Sequence, residues 1–303
     1  MTERPTFNPE SRPDPIPDKG FAEQWSNPET LDFDGEKVEV HDVRPEKEKT
    51  DVSVVFMPGW GTSPEVFKKD LKVLHENDRR VLAVDAPHGV EHQISTEEAE
   101  GLPDAELKKV AALIKTLDAK GVDKVDAVGT SEGGMVVTMA AWLYPERFRN
   151  LLLEYPTGMI GKDSLLALAV RFPKDMIKSQ IDGMLDPERR AVHDQEMAGL
   201  KEATAGRASR KVVPAVKQVQ AMATTQIHNM LRDIKKRGHR ISIIHGAHDN
   251  VFPMDRVQKT TTTDMVDGFY SIKGKHGEWR TTKERHAYGR LAEHALEAME
   301  RKK

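Results

Sequence analysis

The strongest candidate for a nucleophile is Ser131, which lies in the segment Val-Gly-Thr-Ser-Glu-Gly-Gly at 128–134. The apolar residues 122–128 favour a short strand before it, and the nearly uncharged residues 135–144 favour a buried helix after it. A strand, Gly-x-Ser-x-Gly and a helix in this order are typical of a nucleophile elbow, where glycines let the strand and the helix approach closely. The pattern therefore predicts that Ser131 is a nucleophile.

A serine hydroxyl is a weak nucleophile at neutral pH and needs a base within hydrogen-bond reach. Histidine suits this role because it titrates near neutrality, so that it can accept the serine proton and later donate it to a leaving group. Among the 12 histidines, His276 follows the last apolar strand pattern, 269–272, in a loop flanked by Gly274 and Gly277. Folds with parallel strands bind ligands at that carboxyl edge, so we expect His276 to be the base. The alternatives are His245, His248 and His286.

The composition excludes several other kinds of site. The chain has no cysteine and therefore no disulfide, thiol nucleophile or thiolate metal site. With 46 Lys and Arg against 49 Asp and Glu, the net charge of −3 gives no overall positive field that would indicate a nucleic acid partner. The proline-rich N-terminus lacks the apolar core of a signal peptide, and no apolar run reaches the roughly twenty residues of a membrane span. We expect a cytoplasmic protein that binds neither nucleic acid nor membranes.

Strand patterns alternate with helical patterns along most of the chain. The predicted strands are 52–57, 81–84, 122–128, 151–153, 241–244 and 269–272. The predicted helices among and after them are 64–76, 103–120, 135–144 and 282–301. A hairpin turn is predicted at Asp34-Gly35. This alternation favours the α/β class with a doubly wound, mostly parallel sheet.

One long interval departs from this alternation. Between residues 156 and 240 the sequence contains only helical patterns, at 164–171, 187–203 and 213–236. Such an interval is much longer than an ordinary crossover connection. We predict a loose leader at 1–28, a core at 29–155 and 223–303, and an inserted helical cap at 156–222.

Four motifs resemble those of the α/β-hydrolase fold superfamily, and the resemblance covers roughly residues 30–300. They are Phe-Met-Pro-Gly-Trp-Gly-Thr at 56–62, Asp-Ala-Pro-His-Gly at 85–89, the elbow at 129–134 followed by Tyr-Pro-Glu-Arg-Phe at 144–148, and Gly-Ala-His-Asp-Asn-Val-Phe-Pro at 246–253. In order, they are similar to the oxyanion loop, the Asp-x-Pro-Gly loop, the nucleophile elbow with its helix ending, and the acid loop. The resemblance implies that Ser131, Asp249 and His276 follow the family's order of nucleophile, acid and base.

The acid of such a triad orients the imidazole and stabilises it once it is protonated. Asp249 follows the predicted strand 241–244 in a turn that leads to a helix near Pro253. A turn or helix-cap aspartate would occupy the same position without a catalytic role. Glu154, at the end of the preceding strand, is the alternative acid because some relatives place theirs there. We expect Asp249 to be the acid.

The oxyanion hole requires two backbone N–H groups, which we assign to Glu132 and Trp60. Pro58 departs from the family pattern, where a histidine usually braces this loop, so the resemblance does not define the geometry of the loop. The Glu132 side chain has two interpretations, an anchor for a substrate amine or a buried salt bridge without a catalytic role. His88 and His92 lack an acidic or thiolate partner in the sequence, and we therefore predict no metal site.

A serine at the elbow excludes the superfamily members that use aspartate, the haloalkane dehalogenases and epoxide hydrolases. The remaining chemistry is acyl transfer. We predict a cofactor-independent serine hydrolase that cleaves a small or medium carboxylic ester, with a small acyl compound as substrate. The alternatives are an aminopeptidase, thioesterase or acyltransferase of the same fold, and a hydrolase-like protein that binds a ligand without catalysis.

Overall fold

The computed structural model of the protein describes residues 20–95, 97, 99–161, 218, 220–276 and 286–301. Its eight strands are β1 (Glu29–Phe33), β2 (Glu36–Val43), β3 (Ser53–Met57), β4 (Val81–Asp85), β5 (Val125–Thr130), β6 (Phe148–Glu154), β7 (Arg240–Gly246) and β8 (Gly268–Ile272). Its α-helices are α1 (Phe21–Trp25), α2 (Lys68–Glu76), α3 (Asp104–Ala119), α4 (Glu132–Leu143), α5 (His228–Lys236), α6 (Met254–Thr260) and α7 (Ala287–Arg301).

All eight strands form one sheet in the order β1-β2-β4-β3-β5-β6-β7-β8. The pairs β1–β2 and β2–β4 are antiparallel, and every pair from β4 to β8 is parallel. Crossover helices account for the parallel pairs, because successive parallel strands need a long connection. The predicted α/β class with a doubly wound, mostly parallel sheet is confirmed.

The sheet is covered on both faces, as strands with near-continuous apolar sequences require. In β3, Val55 and Met57 join the core beneath α3, α4 and α5, whereas Val54 and Phe56 join the core beneath α1, α2 and α7. Alternate residues of one strand therefore fill two cores. This double burial fixes the register of the central strands and holds their carboxyl ends along one edge.

The first described helix corrects part of the leader prediction. Residues 1–19 lie outside the described part, but α1 follows them, and its Phe21 and Trp25 are each about 1% exposed. The Trp25 ring stacks on His41 of β2 with centroids 4.1 Å apart, and its Nε1 donates to Glu65. The prediction of a loose segment is therefore wrong for residues 21–25, because two aromatic side chains spaced four apart on one helix face bury against the sheet.

Most predicted elements are present with shifted ends. Helix α4 begins at Glu132 rather than at residue 135, and a 3-10 turn over Pro64–Phe67 precedes α2. The predicted hairpin at Asp34-Gly35 joins β1 to β2. The predicted single helix at 213–236 is interrupted at 225–227, where the Ile227 N–H donates to the Gly158 carbonyl. The predicted cap helices at 164–171 and 187–203 lie outside the described residues.

Within the described part of the chain, no helix is both long enough and apolar enough to cross a membrane.

Candidate active site

Three parallel strands end beside one another and carry the predicted nucleophile, acid and base on the loops that follow. Ser131 comes directly after β5, Asp249 comes three residues after β7, and His276 comes four residues after β8. Because these strands are parallel, their carboxyl ends meet at one edge of the sheet. Parallel α/β sheets bind ligands at this edge.

Ser131 has a backbone conformation that serine rarely adopts. Its φ is +51° and its ψ is −116°, a sharp bend between the end of β5 and the first residue of α4. The bend presses α4 against the end of β3, since a Cβ at Gly133 would lie 2.2 Å from the Met57 carbonyl oxygen. Strained backbone of this kind persists where the surroundings fix it, and it concentrates at active sites. The observed conformation has the geometry of the predicted elbow.

Backbone hydrogen bonds hold the bend in place. The Ser131 N–H donates to the Glu154 carbonyl over 2.9 Å, and the Ser131 carbonyl accepts from the N–H groups of Gly134 and Thr157. Glu154 is the last residue of β6 and Thr157 lies three residues beyond it, so the neighbouring strand fixes the position of the serine. The strain is therefore balanced by contacts outside the elbow itself.

Asp249 and His276 are hydrogen bonded to each other. His276 Nδ1 lies 2.8 Å from Asp249 Oδ2, and it must donate because a carboxylate only accepts. The second carboxylate oxygen, Oδ1, accepts from the N–H groups of Val251 and Phe252, each over 2.8 Å. This pairing leaves Nε2 of His276 as the nitrogen that can accept a proton, which is the tautomer a general base needs.

The electrostatic surroundings distinguish the two candidate acids. Burial raises the pKa of Asp249, but the charge and hydrogen bond of His276 outweigh it, and the pKa is lower than usual. Burial, reinforced by the carboxylate of Asp70, raises the pKa of Glu154 well above its usual value. Asp249 is therefore ionised at neutral pH, whereas Glu154 favours its neutral form. Only an ionised carboxylate can stabilise an imidazolium.

His245 lies beneath the acid and is fully buried. Its Nε2 donates to the Phe252 carbonyl over 2.8 Å and lies 3.6 Å from Asp249 Oδ2. Burial lowers the pKa of His245 and keeps the ring neutral. It supports the acid loop, and it does not compete with His276 for the Asp249 carboxylate at hydrogen-bond distance.

Two aromatic rings hold the His276 imidazole between them. The Tyr155 ring meets it edge-on with centroids 5.0 Å apart, and the Phe252 ring does so at 5.1 Å. Tyr155 is buried and has a φ of +39°, and its N–H donates to the Ile244 carbonyl at the end of β7. Both residues were missed in the sequence, although Phe252 lies inside the acid-loop motif and Tyr155 follows Glu154 directly. Such packing restricts the imidazole to few orientations.

The loop after β3 passes directly against the serine. A Cβ at Gly59 would lie 3.0 Å from the Ser131 Cβ and 3.2 Å from the Thr130 carbonyl oxygen, so a larger residue would have to displace one of them. The turn is closed by Thr62, whose N–H and hydroxyl both donate to the Gly59 carbonyl. Thr62 thus braces this loop, in which Pro58 replaces the histidine of the family pattern, and sequence reasoning did not identify it.

The predicted oxyanion donors flank the serine. Glu132 is the first residue of α4, so its N–H has no carbonyl four residues earlier within the helix to bond to. Trp60 follows Gly59, where an added Cβ would lie 3.0 Å from the Ser131 Cβ. Both N–H groups thus belong to segments that adjoin the nucleophile, and their role in binding an oxyanion stays a prediction.

The Glu132 side chain forms the buried salt bridge considered above. Its Oε2 accepts from Lys109 Nζ over 2.7 Å, and the residue is 1% exposed. Glu106 of α3 is also buried, and neither of its carboxyl oxygens has a hydrogen-bond partner among the described residues. Burial first, and then the Glu132 carboxylate, raise the pKa of Glu106 to about 8. We refer to Glu106, Lys109 and Glu132 as the buried charge cluster.

Three other histidines, His248, His286 and His92, differ in their exposure and in the polar atoms near them. His248 is exposed, and His286 Nδ1 lies 3.4 Å from the Lys69 carbonyl. His92 Nε2 lies 3.3 Å from an Asp104 carboxylate oxygen. Over the described ranges, no group of three or more His, Asp or Glu side chains could hold a metal ion.

Two known proteins are similar to this chain over most of its length. The chain is 26% identical over 265 residues to the 2-hydroxy-6-oxo-2,4-heptadienoate hydrolase of Pseudomonas putida, which spans 81% of this chain and 89% of that protein. It is also 26% identical over 241 residues to a Mycobacterium phage D29 protein that carries the provisional name non-heme haloperoxidase, over 75% of this chain and 82% of that one.

A crystal structure of a serine hydrolase from Cycloclasticus zankles superposes with a TM-score of 0.62 and 17% identity, covering 90% of this chain and 98% of that one. At this identity the likeness shows the fold alone. The model of the alpha/beta hydrolase family, however, matches residues 54–268, which include most of the described core. The chain therefore belongs to the alpha/beta hydrolase family.

Proposed function

We propose that this protein is a serine hydrolase that cleaves a small or medium carboxylic ester through an acyl-enzyme on Ser131. The observation that carries the proposal is the 2.8 Å hydrogen bond between His276 and Asp249, at the sheet edge where Ser131 is held in a strained bend. A base oriented by a carboxylate, at the same sheet edge as a half-buried serine in a strained backbone, is the arrangement that acyl transfer requires.

In the proposed reaction, His276 Nε2 takes the Ser131 proton as Oγ attacks the ester carbonyl. The N–H groups of Trp60 and Glu132 stabilise the resulting oxyanion. The intermediate collapses as the C–O bond breaks, and His276 gives its proton to the leaving alcohol. A water molecule then attacks the acyl carbon as His276 Nε2 takes its proton. The bond to Ser131 Oγ breaks, His276 returns the proton to Oγ, and the carboxylic acid is released. Asp249 stays ionised throughout.

The surroundings of Glu132 disfavour one alternative. An aminopeptidase that uses this carboxylate to bind a substrate amine would need it accessible, but Glu132 is buried and paired with Lys109. A non-catalytic binding protein would have no need of the strained serine or of the oriented imidazole. Thioesterase and acyltransferase activities use the same groups and stay alternatives to ester hydrolysis.

A second candidate function is hydrolysis of a carbon–carbon bond in a 2-hydroxy-6-oxo-dienoate. It is favoured by the Pseudomonas putida relative, whose name describes a hydrolase of a 2-hydroxy-6-oxo-dienoate and which matches over 89% of its own length. Substrate tests must therefore include this class.

The test compares the purified protein with two serine variants on a panel of compounds. The panel contains p-nitrophenyl esters of increasing chain length, acyl thioesters, aminoacyl anilides and a 2-hydroxy-6-oxo-dienoate. We expect the highest kcat/KM on an ester of small or medium length, retained by Ser271→Ala, an exposed serine of β8, and lost by Ser131→Ala. A clear preference for the dienoate would favour the second candidate, and turnover that survives in Ser131→Ala would contradict both.

A further inference from the structure

One side chain links three parts of the chain next to the predicted oxyanion hole. Gln218 Oε1 accepts a hydrogen bond from Trp60 Nε1 over 2.9 Å, and Gln218 Nε2 donates to the Pro87 carbonyl over 3.3 Å. The residue is 6% exposed. Its amide thus bridges the loops that follow β3 and β4.

Gln218 itself belongs to neither loop. It lies in the segment predicted as the cap, 156–222, and begins the part of the chain that the structure describes after residues 162–217. The helical residues 220–224 follow it. The bridge therefore joins the end of the insertion to the two core loops.

The position of the Trp60 side chain affects the loop that lies next to the nucleophile. Trp60 supplies one of the two N–H groups proposed to bind the oxyanion, and Gly59 before it is so placed that an added Cβ would lie 3.0 Å from the Ser131 Cβ. The Thr62 hydrogen bonds close this turn, but they do not involve the Trp60 indole. The orientation of the indole therefore depends on the contacts of its own ring. Fixing the indole through Nε1 fixes the backbone that carries the donor, and small displacements of such donors cost much of their effect.

We infer that Gln218 is a positioning residue, through which the end of the insertion holds Trp60 so that its backbone N–H points at the oxyanion. This inference depends on the proposed serine hydrolase function. It predicts a loss in kcat rather than a rise in KM, because the oxyanion forms only after the substrate is bound.

The test replaces Gln218 with methionine, which is similar in length and forms neither hydrogen bond. The matched control is Gln220→Met, two residues away and exposed. On the best ester, Gln218→Met is expected to lower kcat about 10- to 100-fold with KM within about threefold, whereas Gln220→Met stays at the wild-type rate. A boronic acid that mimics the tetrahedral intermediate should bind the Gln218→Met variant more weakly by a similar factor, while the carboxylic acid product binds as before.

Trp60→Phe tests the same bond from the other side, since it keeps an aromatic ring and the backbone N–H but loses Nε1. We expect a similar loss in kcat, and the double variant should be no worse than the poorer single variant. If Gln218→Met does not fold, as judged by circular dichroism, Trp60→Phe alone carries the test. Wild-type kcat in the folded Gln218→Met variant, or additive losses in the double variant, would contradict the inference alone. Absence of ester turnover in the wild-type protein would instead contradict the proposed function and this inference with it.

Discussion

The parallel strands begin at one edge of the sheet, the amino edge, and end at the other, the carboxyl edge. The two edges differ in how their charged groups are paired. At the amino edge, the fully buried Arg79 before β4 donates to Glu293 over 2.6 Å and to Glu300 over 2.8 Å, both in α7. Arg149 of β6 pairs with Asp126 of β5 and also reaches Glu300. Each of these carboxylates accepts from an arginine, so burial of the charges is compensated within one network.

The carboxyl edge is arranged differently. It contains the strained Ser131, a buried Glu154 whose pKa is raised, and the hydrogen bond between Asp249 and His276. The contacts of these groups fix their orientation but do not form a network of paired charges. The contrast indicates that changes at the amino edge should alter the stability of the fold, whereas changes at the carboxyl edge should alter turnover with little effect on stability.

The largest effect is expected from the base. His276→Ala should lower ester turnover on the order of 10⁴- to 10⁶-fold, since loss of one member of such a triad removes nearly all that the unit contributes. The protein should remain folded, because Asp249 Oδ1 keeps the N–H donors of Val251 and Phe252. His248→Ala is the control, because that residue is exposed and belongs to the same edge, and it should keep turnover within about twofold. Equal losses in the two variants would remove His276 as the base.

A smaller loss is expected from the acid. Asp249→Asn is nearly isosteric, but an amide can hold His276 in the wrong tautomer, so turnover should fall roughly 10³- to 10⁴-fold. Glu154→Gln should stay within about tenfold, because burial raises the pKa of the Glu154 carboxyl and so disfavours the anion that an acid of the triad must supply. Steady-state kinetics on the same ester measures both. The reverse ranking would assign the acid to the end of β6.

The amino edge should respond in the opposite sense. Arg79→Met removes a partner from the buried Glu293 and from the half-buried Glu300, and should lower the free energy of unfolding by about 3–5 kcal/mol, with kcat per folded molecule unchanged. Arg301→Met is the matched control. Its side chain is largely exposed and pairs with Glu297 at the surface, so the change should be under about 1 kcal/mol. A fall in kcat without a loss of stability in Arg79→Met would contradict the division between the two edges.

The buried charge cluster gives the smallest effect, and one that depends on pH. Glu106 has a pKa of about 8 in the folded protein against a usual 4.5, so the folded state retains a proton that the unfolded chain releases. Its contribution to the free energy of unfolding therefore falls as pH rises from about 4.5 to about 8. Glu106→Gln removes this dependence and should gain up to a few kcal/mol above pH 8 and little near pH 4.5. Urea titrations across this range measure the gain, and the exposed Glu146→Gln should show none.

Local patterns were enough to predict the sheet and the elbow. The Gly-x-Ser-x-Gly turn and the apolar runs of β3 to β8 depend on neighbours in the sequence, and so could be identified from it. The packing of Tyr155 and Phe252 against His276 depends on three strands meeting, and no local pattern indicates that. The Gln218 side chain bonds to Trp60, which is 158 residues away, and to Pro87, which is 131 residues away. No local pattern indicates these contacts either. The buried α1 was missed because proline-rich sequence before it suggested a loose segment throughout.

If the proposed function is right, Ser131 carries an acyl group during turnover, and that group can be trapped. The protein is mixed with a p-nitrophenyl ester, quenched in acid within the first turnover, digested and mapped by mass spectrometry. We expect one added acyl mass on the peptide that contains Ser131, and none in the Ser131→Ala variant. An acyl group on another residue, or release of p-nitrophenol with no adduct on any peptide, would contradict it.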